Sequence, residues 1–224
     1  MSIESEIQRL RAALPEGVSL VAVSKTHPAE AIMEAYRAGQ RIFGENRPQE
    51  MKAKYDVLPK DIEWHLIGHL QTNKVKLIVP FVAMIHSVDS DRLLREIDRQ
   101  AERCGRTIDV LLEVKIGLEE SKEGWDSAAL IAWLEEGSYR TLQHVRFRGV
   151  MGVATNTVDR EEIRREFESL SRLRGELQSR FFDERFDRLS MGMTSDWELA
   201  VAAGSNMVRI GSLIFGARDY NKHP

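Results

Sequence analysis

Residues 19–45, "SLVAVSKTHPAEAIMEAYRAGQRIFGE", carry the pattern that decides the fold. Two short apolar runs, 19–25 and 41–45, flank a helical pattern that begins near Pro28 and closes at Gly39. Proline is tolerated in the first turn of a helix, and glycine is favoured just past its end. The stretch therefore predicts one strand–helix–strand unit.

The same unit recurs along the chain after an opening amphipathic helix. The apolar runs cover residues 19–25, 41–45, 63–69, 82–88, 109–116, 145–153, 188–193 and 207–216. They are rich in valine, isoleucine and leucine, as is typical of parallel strands that are covered on both faces. Eight such runs predict an α/β protein, a single (β/α)8 TIM barrel with an extra N-terminal helix, in which residues 1–224 form one domain.

A doubly wound open sheet is the structural alternative, because local periodicity does not separate closed from open sheets. The count of eight runs favours the barrel, and the turn after the first run lacks a Gly-x-Gly-x-x-Gly sequence. Two of the later helical patterns have clear starts, at Ser90 and Asp159, because both residue types are good N-caps.

Composition limits the possible partners and the compartment. The chain has 32 basic and 35 acidic residues, and its net charge of −3 gives no general attraction to nucleic acid or to a membrane surface. No apolar stretch approaches the roughly 18 residues that a membrane-spanning helix needs. The single cysteine, Cys104, fits a reducing compartment, and we expect it to be buried and inert on its helix. We therefore expect a cytoplasmic protein with no nucleic-acid or membrane partner.

Polar residues gather where the predicted strands end, which is where barrels place their active sites. Lys25 is in phase with Val21 and Val23, so its side chain follows two apolar neighbours into the lumen. A rim lysine whose ammonium group reaches water is the ordinary alternative. A desolvated lysine beside another cation would instead have a lowered pKa and act as an imine-forming amine.

Two turns after the last strands are suited to a phosphate group. Ser190, Gly192 and Thr194 lie in the turn of "LSMGMTSDWELA" (189–200), which leads into a helical pattern. Gly211 and Ser212 follow the core of the eighth run. Taken alone, the first turn could be an ordinary helix cap, and the glycine of the second could serve only the packing of the barrel. Together the turns match the usual phosphate position of barrels, and a lysine across the lumen points to a phosphorylated carbonyl compound.

The remaining candidates are an arginine and two histidines. Arg209 is in phase with the glycine of the last turn, and it would either pair with Glu113 or Glu45 or contact a ligand. Beside a pyridine nitrogen, a permanently charged guanidinium would keep that nitrogen unprotonated and discourage carbanion chemistry. His65 and His69 lie along the third predicted strand and have no third metal ligand at useful spacing. We therefore expect histidines that belong to the core or support the pocket residues, and no metal site.

Five segments together resemble the pyridoxal phosphate homeostasis protein family. They are "VAVSKTHP" (21–28), "FGENRPQE" (43–50), "WHLIGHLQTNK" (64–74), "IHSVDS" (85–90) and "LSMGMTSDWELAVAAGSNMVRIGSLIFGAR" (189–218). These proteins are similar to the barrel domain of alanine racemase and are fold-type III binders of pyridoxal 5′-phosphate (PLP). The chain departs from the family pattern at Arg47–Pro48, at Lys115 and in the stretch 152–159.

The resemblance assigns a role to each candidate. It implies that PLP is held as a Schiff base on Lys25 and that Arg209 faces the pyridine nitrogen. The phosphate would be held by Ser190, Met191, Gly192 and Thr194 and by Gly211 and Ser212. Asn46 and His65 would line the pocket.

The same resemblance implies a PLP-binding protein of intracellular PLP homeostasis that is not an enzyme and has no efficient turnover. PLP-dependent apo-enzymes would be its recipients, and we expect a monomer. A PLP-dependent amino-acid racemase is the alternative, but it needs two bases on opposite faces of the substrate carbon, and Lys25 supplies one. Tyr220, in the tail, has no evident part in this. An imine-forming aldolase barrel is a third class, although such barrels tend to carry the lysine on a later strand.

Overall fold

The predicted strands pair into a closed barrel in the computed structural model, which describes residues 2–117 and 123–216. Each strand pairs in parallel with the next along the chain, and the first and last strands close the sheet. The strands are β1 (Ser19–Val23), β2 (Ile42–Glu45), β3 (Glu63–Leu66), β4 (Met84–Val88), β5 (Ile108–Glu113), β6 (Val145–Met151), β7 (Arg188–Ser190) and β8 (Met207–Ile210). The barrel is thereby confirmed, and the open sheet is excluded.

Helices lie between the strands and cover the outside of the barrel. They are α1 (Ile3–Ala13), α2 (Ala29–Arg37), α3 (Pro48–Val57), α4 (Val75–Ile78), α5 (Asp91–Arg103), α6 (Ser127–Glu136), α7 (Arg160–Phe181), α8 (Trp197–Ala202) and α9 (Ser212–Phe215). The predicted starts are confirmed, because Ser90 Oγ accepts from Leu93 N at 3.4 Å and Asp159 Oδ1 accepts from Glu161 N at 2.9 Å. Within the described ranges, no helix is long and apolar enough to cross a bilayer.

The expectation of a buried cysteine was wrong. Cys104 is exposed, because α5 ends at Arg103 and the cysteine lies one position beyond, at the C-cap. The buried stripe of α5 ends earlier, at Ala101.

Side chains alternate along the strands between two apolar layers. On β3, Trp64 and Leu66 pack outward into the large core between the barrel and the helices. The residue between them, His65, must therefore face the lumen. Apolar residues from five strands fill part of that lumen: Val21, Met84, Leu111, Met151 and Met207. A polar residue two positions further along one of these strands shares the lumen face, and this places Arg209, two positions after Met207 on β8.

Gly149 on β6 offers a test of how tightly the barrel closes. Its φ is +153°, and an added Cβ would lie 1.8 Å from the carbonyl oxygen of Arg188 on β7. We expect Gly149→Ala to lower the free energy of unfolding by about 3 kcal/mol or more, measured by chemical denaturation. Gly175, inside α7, is the matched control, because its added Cβ would meet no atom within 4 Å. Gly175→Ala should stabilise by up to about 1 kcal/mol, and equal effects of the two changes would contradict this account.

Candidate functional site

The lysine at the end of the first strand lies in a turn. β1 ends at Val23, so the predicted run 19–25 extends two residues too far, and Lys25 lies half-buried at the rim. The next residue, Thr26, has φ +67°, the one positive value outside glycine in the part of the chain that the structure describes. A β-branched residue is strained in this region, so neighbouring contacts must hold the turn.

A buried lysine from α3 provides those contacts. Lys54 Nζ donates to Ser24 O at 2.8 Å and to Glu45 Oε1 and Glu50 Oε1 at 2.7 Å each. Ser24 Oγ donates to Glu45 Oε1 at 2.6 Å, and Thr26 N donates to Glu50 Oε1 at 2.6 Å. These five residues form what we call the Lys54 cluster. It holds the residues before and after the rim lysine.

Glu45 is the most confined member of the Lys54 cluster. Its side chain is fully buried, and this burial raises its pKa to about 7, against the opposing effect of the Lys54 cation. Its second oxygen, Oε2, has no hydrogen-bond partner within residues 2–117 and 123–216. A carboxyl group in such a place depends on its cationic neighbour to stay ionised.

A chain of hydrogen bonds crosses the lumen from β8 to β3. Arg209 donates through one nitrogen to Ser190 Oγ at 2.6 Å and to Ser190 O at 2.8 Å, and through the other to Gly152 O at 3.0 Å. Ser190 Oγ lies 3.0 Å from His86 Nδ1, and His86 Nε2 lies 2.9 Å from His65 Nδ1. We call Arg209, Ser190, His86 and His65 the lumen chain.

The guanidinium fixes the direction of the first bond in the lumen chain. It only donates, so the hydroxyl of Ser190 accepts from Arg209 and can donate to His86 Nδ1. When Ser190 donates in this way, His86 carries its proton on Nε2 and donates through it to His65 Nδ1. Burial lowers the pKa of His65 to about 3 and that of His86 well below its ordinary value, so both rings are neutral. Burial also lowers the pKa of Arg209, to about 10, which leaves it charged at neutral pH.

Glu45 and Glu113, the two carboxylates that the sequence offers as partners of Arg209, have different surroundings. Glu45 is paired with Lys54 at 2.7 Å. Glu113, half-buried at the end of β5, interacts with Arg209 through charge, and its own burial raises its pKa to about 7. The cation of Arg209 opposes that rise. Arg209 therefore rests mainly on oxygen acceptors of β7 and of the residue after β6.

The turns after β7 and β8 come together. Ser212 Oγ donates to Thr194 Oγ1 at 3.2 Å, so the two predicted hydroxyls are neighbours. An added Cβ at Gly192, where φ is +93°, would lie 2.5 Å from Ala200 Cβ. An added Cβ at Gly211 would lie 3.0 Å from the carbonyl oxygen of Val23 in β1. We call Gly192, Thr194, Gly211 and Ser212 the anion seat. The contact of Gly211 with Val23 places this seat beside the turn that carries the rim lysine.

The other predicted residues are distributed around these groups. Met191 packs into the outer apolar layer, so its side chain points away from the lumen. Asn46 follows β2 and lies close to Gly68. A Cβ added at Gly68 would lie 2.7 Å from the backbone oxygen of Asn46. Ser190 is fully buried, and its hydroxyl is engaged by Arg209 and His86.

The expectation that His65 and His69 both lie along the third strand was wrong. β3 ends at Leu66, and His69 lies beyond it at the surface. Its Nδ1 is 2.6 Å from Glu123 Oε2 and 3.4 Å from Asp89 Oδ2. The structure thus supplies acidic neighbours that sequence spacing did not suggest. We assign no metal here, because exposed groups of this kind commonly occur without one.

Sequence reasoning missed two functional residues. His86 links the serine of β7 to the histidine of β3, and its phase with Met84 in "MIHSV" is the signal that could have found it. Lys54 holds the backbone beside the rim lysine, and its spacing of four residues from Glu50 on α3 could have indicated an ion pair.

The barrel, its rim lysine and its glycine–hydroxyl seat define a class of protein. The family described as "Alanine racemase, N-terminal domain" matches residues 1–219. The barrel also resembles alanine racemase of Clostridium difficile, with a TM-score of 0.76 over 98% of this chain and 57% of that one. At 12% identity, this likeness concerns the fold alone.

Closer relatives narrow the class. A pyridoxal phosphate homeostasis protein of Vibrio alginolyticus is 40% identical, over 92% of this chain and 89% of its own length. A structure of PipY from Synechococcus elongatus with PLP bound is 43% identical, with a TM-score of 0.87 over 96% of this chain and 100% of that one. The chain belongs to the pyridoxal phosphate homeostasis protein family.

The neutral histidines of the lumen chain make a prediction about pH. In the unfolded chain His65 takes up a proton below pH 6.5, but in the folded protein it does so only near pH 3. The unfolded state therefore binds more protons in this window, and His65 costs the protein stability as the pH falls from 6.5 toward 3. In His65→Asn the amide oxygen can replace Nδ1 as an acceptor and does not titrate.

The measurement is the free energy of unfolding of the wild type and of His65→Asn at several pH values. Relative to the variant, the wild type should lose about 2 kcal/mol between pH 7 and pH 5. Comparing two proteins removes the opposing effects of Glu45 and Glu113, which both share. A difference that stays constant with pH would show that His65 is not held neutral.

Proposed function

We propose that this chain binds pyridoxal 5′-phosphate, holds it as a Schiff base on Lys25, and serves intracellular PLP homeostasis without efficient turnover. The observation that carries the proposal is the likeness to PipY, which has PLP bound in a structure 43% identical to this chain and matched along its whole length. The residues of the site fit such a group. Lys25 offers an amine for the aldehyde, the anion seat suits the phosphate, and Arg209 offers a cation for the ring nitrogen.

The parts of the site have complementary chemistry. When bound, PLP supplies an aldehyde that a lysine amine can attack, with loss of one water molecule. Lys25 would provide that amine from the rim turn. Thr194 and Ser212 would donate hydroxyl protons to the phosphate, and Gly192 and Gly211 let the backbone come close. Met191 N donates to Met207 O at 3.2 Å and its side chain packs outward, so in this proposal Met191 places the turn and leaves the phosphate to its neighbours.

Arg209 would limit what the bound cofactor can do. Its charge persists at neutral pH, since its lowered pKa is still about 10. Ser190 and Gly152 hold the guanidinium in one place, so it would face the pyridine nitrogen without giving up a proton. The ring then remains a weak electron sink, which favours holding the cofactor over carbanion chemistry. His65 and Asn46 would line the same pocket, the former as the end of the lumen chain.

No observation specifically favours the racemase alternative. A racemase would need a second acid or base on the face of the substrate opposite Lys25. Tyr220, to which the sequence gives no part in such a reaction, lies outside the described residues. The curated relatives at about 40% identity carry the name of homeostasis proteins. Family membership also displaces the aldolase alternative. Apo-enzymes as recipients, a monomeric state and a cytoplasmic location stay predictions.

The first test of this function is optical. Purified protein mixed with PLP should show a near-visible absorption band, and borohydride should fix the cofactor mass on Lys25. Lys25→Ala should lack both the band and the label. Lys115→Ala is the matched control, because Lys115 is an exposed lysine just beyond the end of β5, and it should behave as the wild type. An unchanged band in Lys25→Ala would overturn the assignment of the lysine.

A second test separates the anion seat from the amine. The double variant Thr194→Val, Ser212→Ala removes both hydroxyls, so its affinity for PLP should fall by about tenfold or more. Its affinity for pyridoxal, which has no phosphate, should not change. Ser195→Ala alters an exposed neighbour in the same turn and should affect neither ligand. Equal losses for the two ligands would contradict the placement of the phosphate.

A further inference from the structure

The Lys54 cluster is an unusual arrangement for the outer side of a barrel strand. Lys54 is 9% exposed and Glu45 is 0% exposed, although lysine and glutamate are rarely buried. Desolvation of such charges offsets much of their attraction, so a buried ion pair is weak evidence for stability. Fixing a conformation is a better reason for its presence.

The conformation it fixes is that of the backbone around the rim lysine. Two of its hydrogen bonds involve main-chain atoms. Lys54 Nζ donates to Ser24 O, and Thr26 N donates to Glu50 Oε1. These atoms lie on either side of Lys25. Thr26 is also the residue with φ +67°, which a free loop would relax. Bonds to both flanks are what a strained turn needs to keep one shape.

The turn is also packed from the direction of the anion seat. Gly211 comes within contact distance of Val23, at the end of β1. The ring of His27 stacks on that of Phe215 in α9, with centroids 5.0 Å apart. The rim lysine therefore lies between α3 on one side and the β8 turn on the other.

We propose that Lys54 and Glu50 are positioning residues that lock the turn of Lys25 in the one conformation that aims its amine at the anion seat. This inference rests on the proposed function, because it concerns how the same lysine meets the same cofactor. It adds two residues of α3 that belong to neither the anion seat nor the lumen chain.

Three variants and a control test it. Lys54→Met removes the charge and keeps the length of the side chain. Glu50→Ala removes the acceptor of Thr26 N, whereas Glu50→Gln keeps an acceptor oxygen and removes only the charge. Lys52→Met is the matched control, because Lys52 lies on α3 and pairs with Asp56 at the surface. Thermal unfolding shows which variants fold. If Lys54→Met does not fold, the comparison of Glu50→Ala with Glu50→Gln tests the proposal.

The first readout needs no cofactor. Amide hydrogen exchange of Thr26, followed by NMR in cofactor-free protein, reports directly on the bond from its N–H to Glu50. Exchange should quicken by about tenfold or more in Glu50→Ala and in Lys54→Met, since each loses a charge-assisted contact of the turn. Glu50→Gln should keep most of the protection, and Lys52→Met all of it.

The second readout is the affinity for PLP and for pyridoxal. Misdirection of the amine should weaken both ligands alike, by about tenfold in Glu50→Ala and Lys54→Met. The anion-seat variant, by contrast, should weaken PLP only. A cluster that merely attaches α3 to the barrel would change the unfolding midpoint and leave both affinities unchanged.

The outcomes are distinct. Faster exchange with weaker binding of both ligands supports the proposal. Faster exchange with native affinities overturns it, and so does native exchange at Thr26 in a folded Lys54→Met or Glu50→Ala protein. If wild-type protein takes up no label on Lys25, the proposed function fails, and the exchange data alone then decide whether the cluster holds the turn.

Discussion

Arg209 donates to the carbonyl oxygens of Ser190 and Gly152 from inside a closed lumen, where bulk water cannot solvate a guanidinium. A buried charge needs such partners, and they in turn need fixed positions. The serine is oriented by His86, and His86 by His65, so four strands take part in holding one cation. The strand ends of this barrel are therefore set by electrostatics as much as by apolar packing.

A second buried charge with fixed polar partners lies outside the lumen. Glu45 is buried at the end of β2 and is held by Lys54, which also holds a backbone carbonyl of the neighbouring turn. The lumen chain thus fixes what lies beneath the mouth, and the Lys54 cluster fixes the rim. Together they tie the ends of β2, β3, β4, β7 and β8 to fixed polar partners on both sides of the sheet.

Much of this architecture could be predicted from the sequence, and the limits of prediction are physical. Strand–helix alternation is local, so the eight units and the caps at Ser90 and Asp159 could be read directly. The sequence also predicted that the turns after β7 and β8 act together, and in the structure Thr194 Oγ1 and Ser212 Oγ are 3.2 Å apart. The exact ends of strands were less accessible, because pairing with neighbours decides them, as β1 shows by ending at Val23.

Contacts between distant segments were beyond sequence reasoning. The bond from His86 to Ser190 spans 104 positions, and that from Lys54 to Ser24 joins a helix to a turn on another unit. No local pattern encodes such pairs, since each residue is ordinary in its own segment. The exposure of Cys104 was missed for a related reason. A shift of one position at the end of a helix moves a side chain from the core to the surface, and periodicity does not fix helix ends that closely.

That exposed thiol has a practical consequence. α5 runs from the end of β4 back toward the start of β5, so Cys104 lies at the end of the barrel opposite the mouth. As the single cysteine of the chain, it offers one attachment point for a maleimide dye or a spin label. Such a reporter could follow encounters of the barrel mouth with other molecules without itself obstructing the entrance.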